Sequence, residues 1–368
     1  MAYQRILIVG CGPVGALLAI FLDTIGFQVT IHDLKNKQEI LSLKDHRATA
    51  LSKGNLDFLK QIFGKNPLLE GSLIKKILTQ DAILGPQIKF ESCEESIDNF
   101  GENIENSCLK TVIYDYLFSK TQVQFETTLP NTEDFALTIA ADGKNSVFKP
   151  FATGKIFEHD YGHDACVATL KMNSPLDVAY ERFFKTGPIA VLPLKNNQAS
   201  LIWSLENEFA HILKEKSDHE FLEILNIHLE GILEEKTYEV TTKTWFPLKA
   251  NFILPPYGKK LLFMGDSANS MHPVAGQGLN LSIRNIRIFI DLAEKHMNLG
   301  LDIGSQTFLE TYWREARLQV LPLLASTHSL VKIFDFESKS LNFVKKIGLN
   351  LLEKSPTFKE IATRFASY

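Results

Sequence analysis

Cysteine is scarce in this chain: four in 368 residues, at Cys11, Cys93, Cys108 and Cys166, with no C-x-x-C pair. That scatter argues against a disulfide framework and a zinc site, and it fits a reducing, cytoplasmic compartment. An excess of one charge is also missing. The 39 Lys+Arg stand against 43 Asp+Glu, a net of −4, so no nucleic-acid partner is expected. No apolar run approaches the roughly 20 residues of a membrane span. The apolar segment Arg5 to Val9 starts so early that a leader peptide is not expected before it. Internal repeats and low-complexity tracts are absent. Arginine is rare, 8 against 31 lysines, so each one can be placed individually. Arg47 lies in the segment Asp45-His46-Arg47-Ala48-Thr49-Ala50-Leu51, whereas Arg284, Arg287, Arg314 and Arg317 fall on late helices, where pairing at the surface is the ordinary reading. What the chain does have is 45% hydrophobic residues, enough core for about two domains.

Three glycine motifs carry the chemistry. The first is Gly10-x-Gly12-Pro13-Val14-Gly15, between a buried strand and a helix, with Asp33 ending the next strand eighteen residues after Gly15. The first glycine permits the turn, the second lets backbone approach a diphosphate, and the third packs helix on strand. The helix start offers unpaired N–H groups and the positive dipole end to phosphates, and Asp33 can accept from ribose hydroxyls. A dinucleotide is expected there, either NAD or FAD.

The second motif decides between them. Gly265-Asp266-Ser267-Ala268 follows the apolar strand Leu261 to Met264, and His272-Pro273-Val274-Ala275-Gly276-Gln277-Gly278-Leu279-Asn280 comes next. A carboxylate at a strand end can hold the ribityl chain of a flavin. Glycines opening a helix aim N–H groups at the pyrimidine edge, where reduced flavin is negative. The third motif, Ala141-Asp142-Gly143, is another strand end with an acidic turn, and taken alone it is more often an ordinary Asp-Gly turn.

In this order and spacing, GCGPVG, ADGKNS and GDSANSMHPVAGQGLNL resemble the fingerprints of the class A flavoprotein aromatic monooxygenases, whose type is the para-hydroxybenzoate hydroxylase fold. Within them the chain looks most like the ubiquinone-biosynthesis hydroxylases. The run Phe183-x-x-x-Gly187-Pro188-Ile189-Ala190-Val191-Leu192-Pro193-Leu194, the segment Ser200 to Ser204, and Phe246-Pro247-Leu248 carry that likeness, and the tail from Tyr312 to Leu330 adds to it. The resemblance implies an α/β fold: a Rossmann-like FAD-binding domain of the GR2 type, an inserted mixed β-sheet substrate domain and C-terminal helices.

It also implies roles. Gly10, Gly12, Pro13, Val14, Gly15 and Asp33 would hold the ADP half of FAD, and Arg47 and Asn106 would face its diphosphate and ribityl region. Asp142 and Gly143 would serve both FAD and NAD(P)H. Gly265 and Asp266 would bind the ribityl–diphosphate region. Gly276, Gln277, Gly278, Leu279 and Asn280 would line the pyrimidine edge. Pro273 would line the substrate side of the ring, and His272 would be an acid–base group or a structural turn residue. FAD would be reduced by NAD(P)H, O2 would add to give a C4a-hydroperoxyflavin, and the oxygen would pass to the ring of a polyprenylated phenol. This explains why no hydrolytic triad or metal cluster is needed.

The expected division runs 1–75, 105–158 and 251–304 for the FAD-binding domain, 76–104 and 159–250 for the substrate domain, and 305–368 for the C-terminal helices. Residues 34–75 read as mainly helical, and one helix is expected near 217–234. About 25 residues separate the helix ending near Leu117 from Asp142, fewer than the family pattern has. A second reading therefore stays open: a weak or inactive hydroxylase-derived scaffold that binds FAD or a lipid precursor in a ubiquinone-biosynthesis complex. The stretch Leu341 to Lys354 alternates apolar and basic residues at helical spacing. Peripheral contact with the inner membrane or a partner is one reading, and packing on its own chain is the commoner one.

Overall fold

The computed structural model describes residues 4–81, 87–92, 98–231, 233, 239–271 and 276–335. The expected catalytic pair His272 and Pro273, the amphipathic stretch 341–354 and Cys93 lie outside them.

Six strands form one sheet in the order Tyr257–Gly258, Leu261–Phe263, Leu137–Ala140, Arg5–Val9, Gln28–His32, Gln124–Glu126. All neighbours are parallel except the first pair. Parallel strands covered on both faces read as continuous apolar runs, and Ile6, Leu7, Ile8 and Leu137 are fully buried. Helix Pro13–Thr24 follows the first strand with Pro13 in its first turn, where the missing N–H costs nothing. Helix Gly278–Asn298 opens at the glycines of the second motif, as expected, and helix Asn106–Lys120 opens at Asn106.

An eight-stranded sheet lies beside this layer, in the order Asn269–Ser270, Glu239–Leu254, Lys155–Lys171, Gln198–Glu206, Gly187–Leu194, Val178–Phe184, Lys76–Asp81, Gln87–Glu91. Its two faces differ. Along Gly187–Leu194, Ile189 and Val191 are buried in a cluster with Trp203, Phe221 and Leu225, beneath helices Asn207–Lys214 and Asp218–Leu229. Ala190 and Leu192 point to the opposite face, as the two-residue period of a strand requires. The second of these helices starts at a capping box, Ser217 with Glu220.

The structure corrects the reading of 34–75. Helices Lys37–Ser42 and Lys53–Phe63 are present, but Ala48–Ser52 and Ser72–Ile74 are strands, both paired with Gly101–Glu105 in a three-stranded sheet. The partner strand is some fifty residues from the first and some thirty from the second, so local periodicity could not reveal the pairing. The helix expected near 217–234 ends at Leu229, and Asn207–Lys214 was not anticipated. The division points at 158/159 and 250/251 fall inside the long strands Lys155–Lys171 and Glu239–Leu254, so the chain passes between layers without a linker. No helix among the described residues is long and apolar enough to cross a membrane.

Candidate functional site

Three neighbouring parallel strands end side by side at Val9, Ala140 and Phe263, and each opens into one glycine motif. The carboxyl edge of such a sheet is where open α/β folds bind ligands. The Met264 N–H donates to the Ala140 carbonyl at 2.9 Å, and the Ser267 hydroxyl donates to the same oxygen, fixing the Asp142 and Asp266 turns beside one another. Gly10 has φ of 104°, and a methyl on it would overlap Ala141 and Asp142. A methyl on Gly15 would overlap the Gly10 carbonyl oxygen. These two glycines are therefore demanded by close backbone approach.

A cavity of about 600 Å³ opens at this edge. Pro13, Val14, Arg47, Asn106, Asp266, Gly276, Gln277, Gly278, Leu279 and Asn280 all line it, so ten of the expected residues converge on one space. Gly10, Gly12, Gly15, Asp33, Asp142, Gly143 and Gly265 build the turns behind that wall instead. Gly265, for example, packs against the Val14 side chain.

Their hydrogen bonds show what each can still do. The Asp33 carboxylate accepts the Cys11 N–H at 2.8 Å and the Lys35 N–H at 2.9 Å, tying the glycine turn to the end of the second strand. Asp142 accepts the Val147 N–H at 3.1 Å through Oδ2, while its buried Oδ1 has no partner among the described residues. Helix Pro13–Thr24 starts at Gly12 with no side-chain cap, which leaves first-turn N–H groups open. At Gly276 and Gly278 an added methyl would meet no protein atom. Asn280 behaves otherwise. Its side chain accepts the Ser52 N–H and an Asn55 amide hydrogen and donates to the Ala50 carbonyl at 2.7 Å, so it clamps helix Gly278–Asn298 to strand Ala48–Ser52.

Two acids on this wall carry opposite shifts. Burial pushes the Asp45 carboxyl up, but hydrogen bonds and charge from Arg47 and Lys110 outweigh it and hold the group well below the usual range. At Asp266 burial dominates and raises the carboxyl, with Arg47 and Lys144 pulling it back. Its surface is open to solvent at the mouth, yet protein surrounds it closely, as expected on a concave wall. The Cys11 thiol, inside the turn, is pushed up to about 12 by burial and by the Asp33 charge. It is a packing residue.

The opposite wall is the free face of the eight-stranded sheet. Val167, Ile202 and Ala190 stand in register across three strands, and Ser200, Leu192 and Ala179 form the next row. Ala165, Phe246 and Leu248 extend it. The wall is mostly small or apolar, whereas the first is polar and rich in open N–H groups. Sequence reasoning missed Asp45 and Lys110, and it named the substrate-domain strands without saying which of their residues face the cavity. For Lys110 a signal existed: Asn106, Lys110 and Tyr114 recur every four residues on one helix face. Among the late arginines, Arg284 departs from the surface reading, being 8% exposed, with Nη2 3.5 Å from the Gln277 side-chain oxygen.

Comparisons with known proteins bear on the family and the fold. The ubiquinone biosynthesis monooxygenase COQ6, mitochondrial, of Dictyostelium discoideum is 25% identical over 81% of this chain and 68% of its own length. The ubiquinone hydroxylase UbiL of Rhodospirillum rubrum is 27% identical over 98% of this chain and 89% of its own. The crystal structure of p-nitrophenol 4-monooxygenase PnpA from Pseudomonas putida DLL-E4 superposes with a TM-score of 0.76 at 13% identity, covering 99% of this chain and 98% of that one, and shows the fold. The FAD binding domain family model matches residues 122–325, more than half the sequence. The chain belongs to the FAD binding domain family, and similar to it are ubiquinone-biosynthesis hydroxylases.

Proposed function

We propose that the protein is an FAD-dependent monooxygenase that hydroxylates the aromatic ring of a polyprenylated phenol in ubiquinone biosynthesis, with NAD(P)H as reductant and O2 as co-substrate. One observation carries the reading: a single cavity has a cofactor-type wall of strand-end turns, an uncapped helix start and paired charges, and faces an apolar wall of small residues. The names of the curated relatives supply the substrate class.

The residues fit a flavin nucleotide. The orphaned Asp142 Oδ1 is an acceptor still to be satisfied, and Gly276 and Gly278 leave backbone where a side chain would fill the space. FAD supplies the redox chemistry and the activation of oxygen. The turn at Gly10 to Gly15 would take the nucleotide end, through first-turn N–H groups and the Asp33 carboxylate. Arg47 and Asn106 would face the diphosphate and ribityl region, and Asp266 would accept hydroxyls of the ribityl chain. Gly276 to Leu279 would meet the pyrimidine edge with backbone N–H groups, held in place by Asn280. Asp142 and Gly143 would serve the nucleotide and the incoming NAD(P)H. Pro273 and His272 remain assigned by resemblance to the substrate side of the ring. The sheet wall would exclude water and orient the phenol ring.

A polyprenyl tail partitions into lipid, so the proposed location is a membrane surface, with the protein peripheral to the inner membrane and joined to other enzymes of the pathway. Purified protein tests the reading: it should be yellow, and a polyprenylphenol should stimulate its NAD(P)H oxidation. Protein that stays colourless and cannot be reconstituted with FAD rejects it and favours the scaffold.

A further inference from the structure

Helix Asn106–Lys120 presents Asn106, Lys110 and Tyr114 at four-residue spacing, on one face. All three make contacts on the cofactor side. The Tyr114 hydroxyl donates to the Cys11 carbonyl of the glycine turn at 3.0 Å. Lys110 Nζ lies 2.9 Å from Asp45 Oδ2, and the Asn106 amide donates to the same oxygen at 3.3 Å. The Asn106 N–H donates to the Arg47 carbonyl at 2.8 Å, and its side-chain oxygen accepts from Thr49.

Asp45 is the hub. It also accepts from Arg47 Nε and Nη2, both at 2.8 Å, in a fork that fixes the guanidinium plane. The Arg47 guanidinium carbon lies 5.4 Å from the centre of the Phe246 ring, which packs against it. The Asp45 side chain is only 6% exposed and its oxygens are engaged, so it is poorly placed to meet a ligand, whereas the Arg47 side chain is 49% exposed at the cavity.

We infer that Asp45 is a positioning residue: it holds Arg47 and Lys110 side by side as a two-cation seat for the diphosphate of the flavin nucleotide, and helix Asn106–Lys120 braces that seat against the glycine turn. The inference rests on the FAD reading above and adds Asp45, Lys110 and Tyr114 to it. A carboxylate beside an anion site is repulsive in itself. With two cations fixed on it the cluster keeps one net positive charge, delivered in a set direction, and the long side chains are ordered before the ligand arrives.

Net charge and positioning predict opposite signs, and this makes the seat testable. The measurement is FAD binding to the apo protein, by quenching of flavin fluorescence across ionic strength, with thermal unfolding of each variant alongside. Lys110→Met should weaken binding about tenfold and flatten its salt dependence. Asp45→Asn adds one unit of positive charge, so charge alone would tighten binding; loss of the fork should instead weaken it about tenfold. Weaker binding by both variants at the wild-type melting temperature supports the seat. Unchanged affinity in Lys110→Met, or unchanged or tighter binding in a folded Asp45→Asn, overturns it. If Asp45→Asn does not fold, Lys110→Met decides alone. Wild-type protein that takes up no FAD overturns the functional reading, and the seat with it.

Discussion

The two walls of the cavity keep their shape by different means. The cofactor wall is built from backbone: turns with glycines at close approaches, an uncapped helix start, and an ion cluster anchored on Asp45. The sheet wall is built from side-chain size, with Ala165, Ala179 and Ala190 leaving room that larger residues would fill. A backbone wall tolerates no Cβ at its tightest points and is indifferent to many side chains elsewhere. A side-chain wall tolerates any residue of the right volume, and its selectivity shifts with each methylene.

Substitutions should therefore separate the walls. The largest effect is expected for Gly15→Val, which forces a side chain into the Gly10 carbonyl; it should cost about 3 kcal/mol of stability and abolish FAD uptake, read by thermal melting and flavin absorbance. Ala190→Phe should do the reverse, filling the substrate side. FAD affinity is expected to stay within twofold or so while KM for the polyprenylphenol rises about tenfold or more, and loss of FAD would break the division.

The acids of the cofactor wall give a smaller, pH-dependent effect. On the proposed reading ribityl hydroxyls would donate to the ionised form of Asp266, whose carboxyl is raised by burial, so FAD binding should release protons. Affinity is then expected to rise about fivefold from acid pH to a plateau above the raised value, and Asp266→Asn should flatten the profile. Asp45 works in the other direction. Its folded pKa is lowered, so its stabilisation is complete above the ordinary carboxylate range and is lost only as pH falls through the lowered value. The smallest effect is at Cys11: with its thiol at about 12, alkylating reagent at pH 8 should leave it unmodified in the folded protein, as a mass measurement would show.

The same contrast explains what the sequence made legible. Gly10 and Asp266 could be read because each follows a strand end where local chemistry favours that residue type, Gly15 because it packs the next helix on that strand, and Asp142 only through the family resemblance. Arg47 stood out because arginine is rare, and its place came from the family resemblance of its segment. Asp45 could not be placed, since nothing in Asp45-His46-Arg47 says that Lys110, sixty-five residues later, shares its carboxylate. The sheet wall was hidden for a related reason. Ala190 faces the cavity because Gly187–Leu194 pairs with Val178–Phe184 and Gln198–Glu206 while two helices cover the other face, and alternation in one strand does not reveal which face is covered. Asn280, assigned to the cofactor by the resemblance, lines the cavity, and its amide also joins a helix to a strand, which the sequence did not suggest.

The central claim is that both walls serve one reaction. Purified, FAD-loaded protein supplied with NAD(P)H, a polyprenylphenol and ¹⁸O₂ tests it most directly, with the product read by mass spectrometry. The account predicts one ¹⁸O atom on the aromatic ring, at a rate that Ala190→Phe lowers while FAD stays bound. A flavin-loaded protein that oxidises NAD(P)H but leaves every polyprenylphenol unlabelled would contradict it.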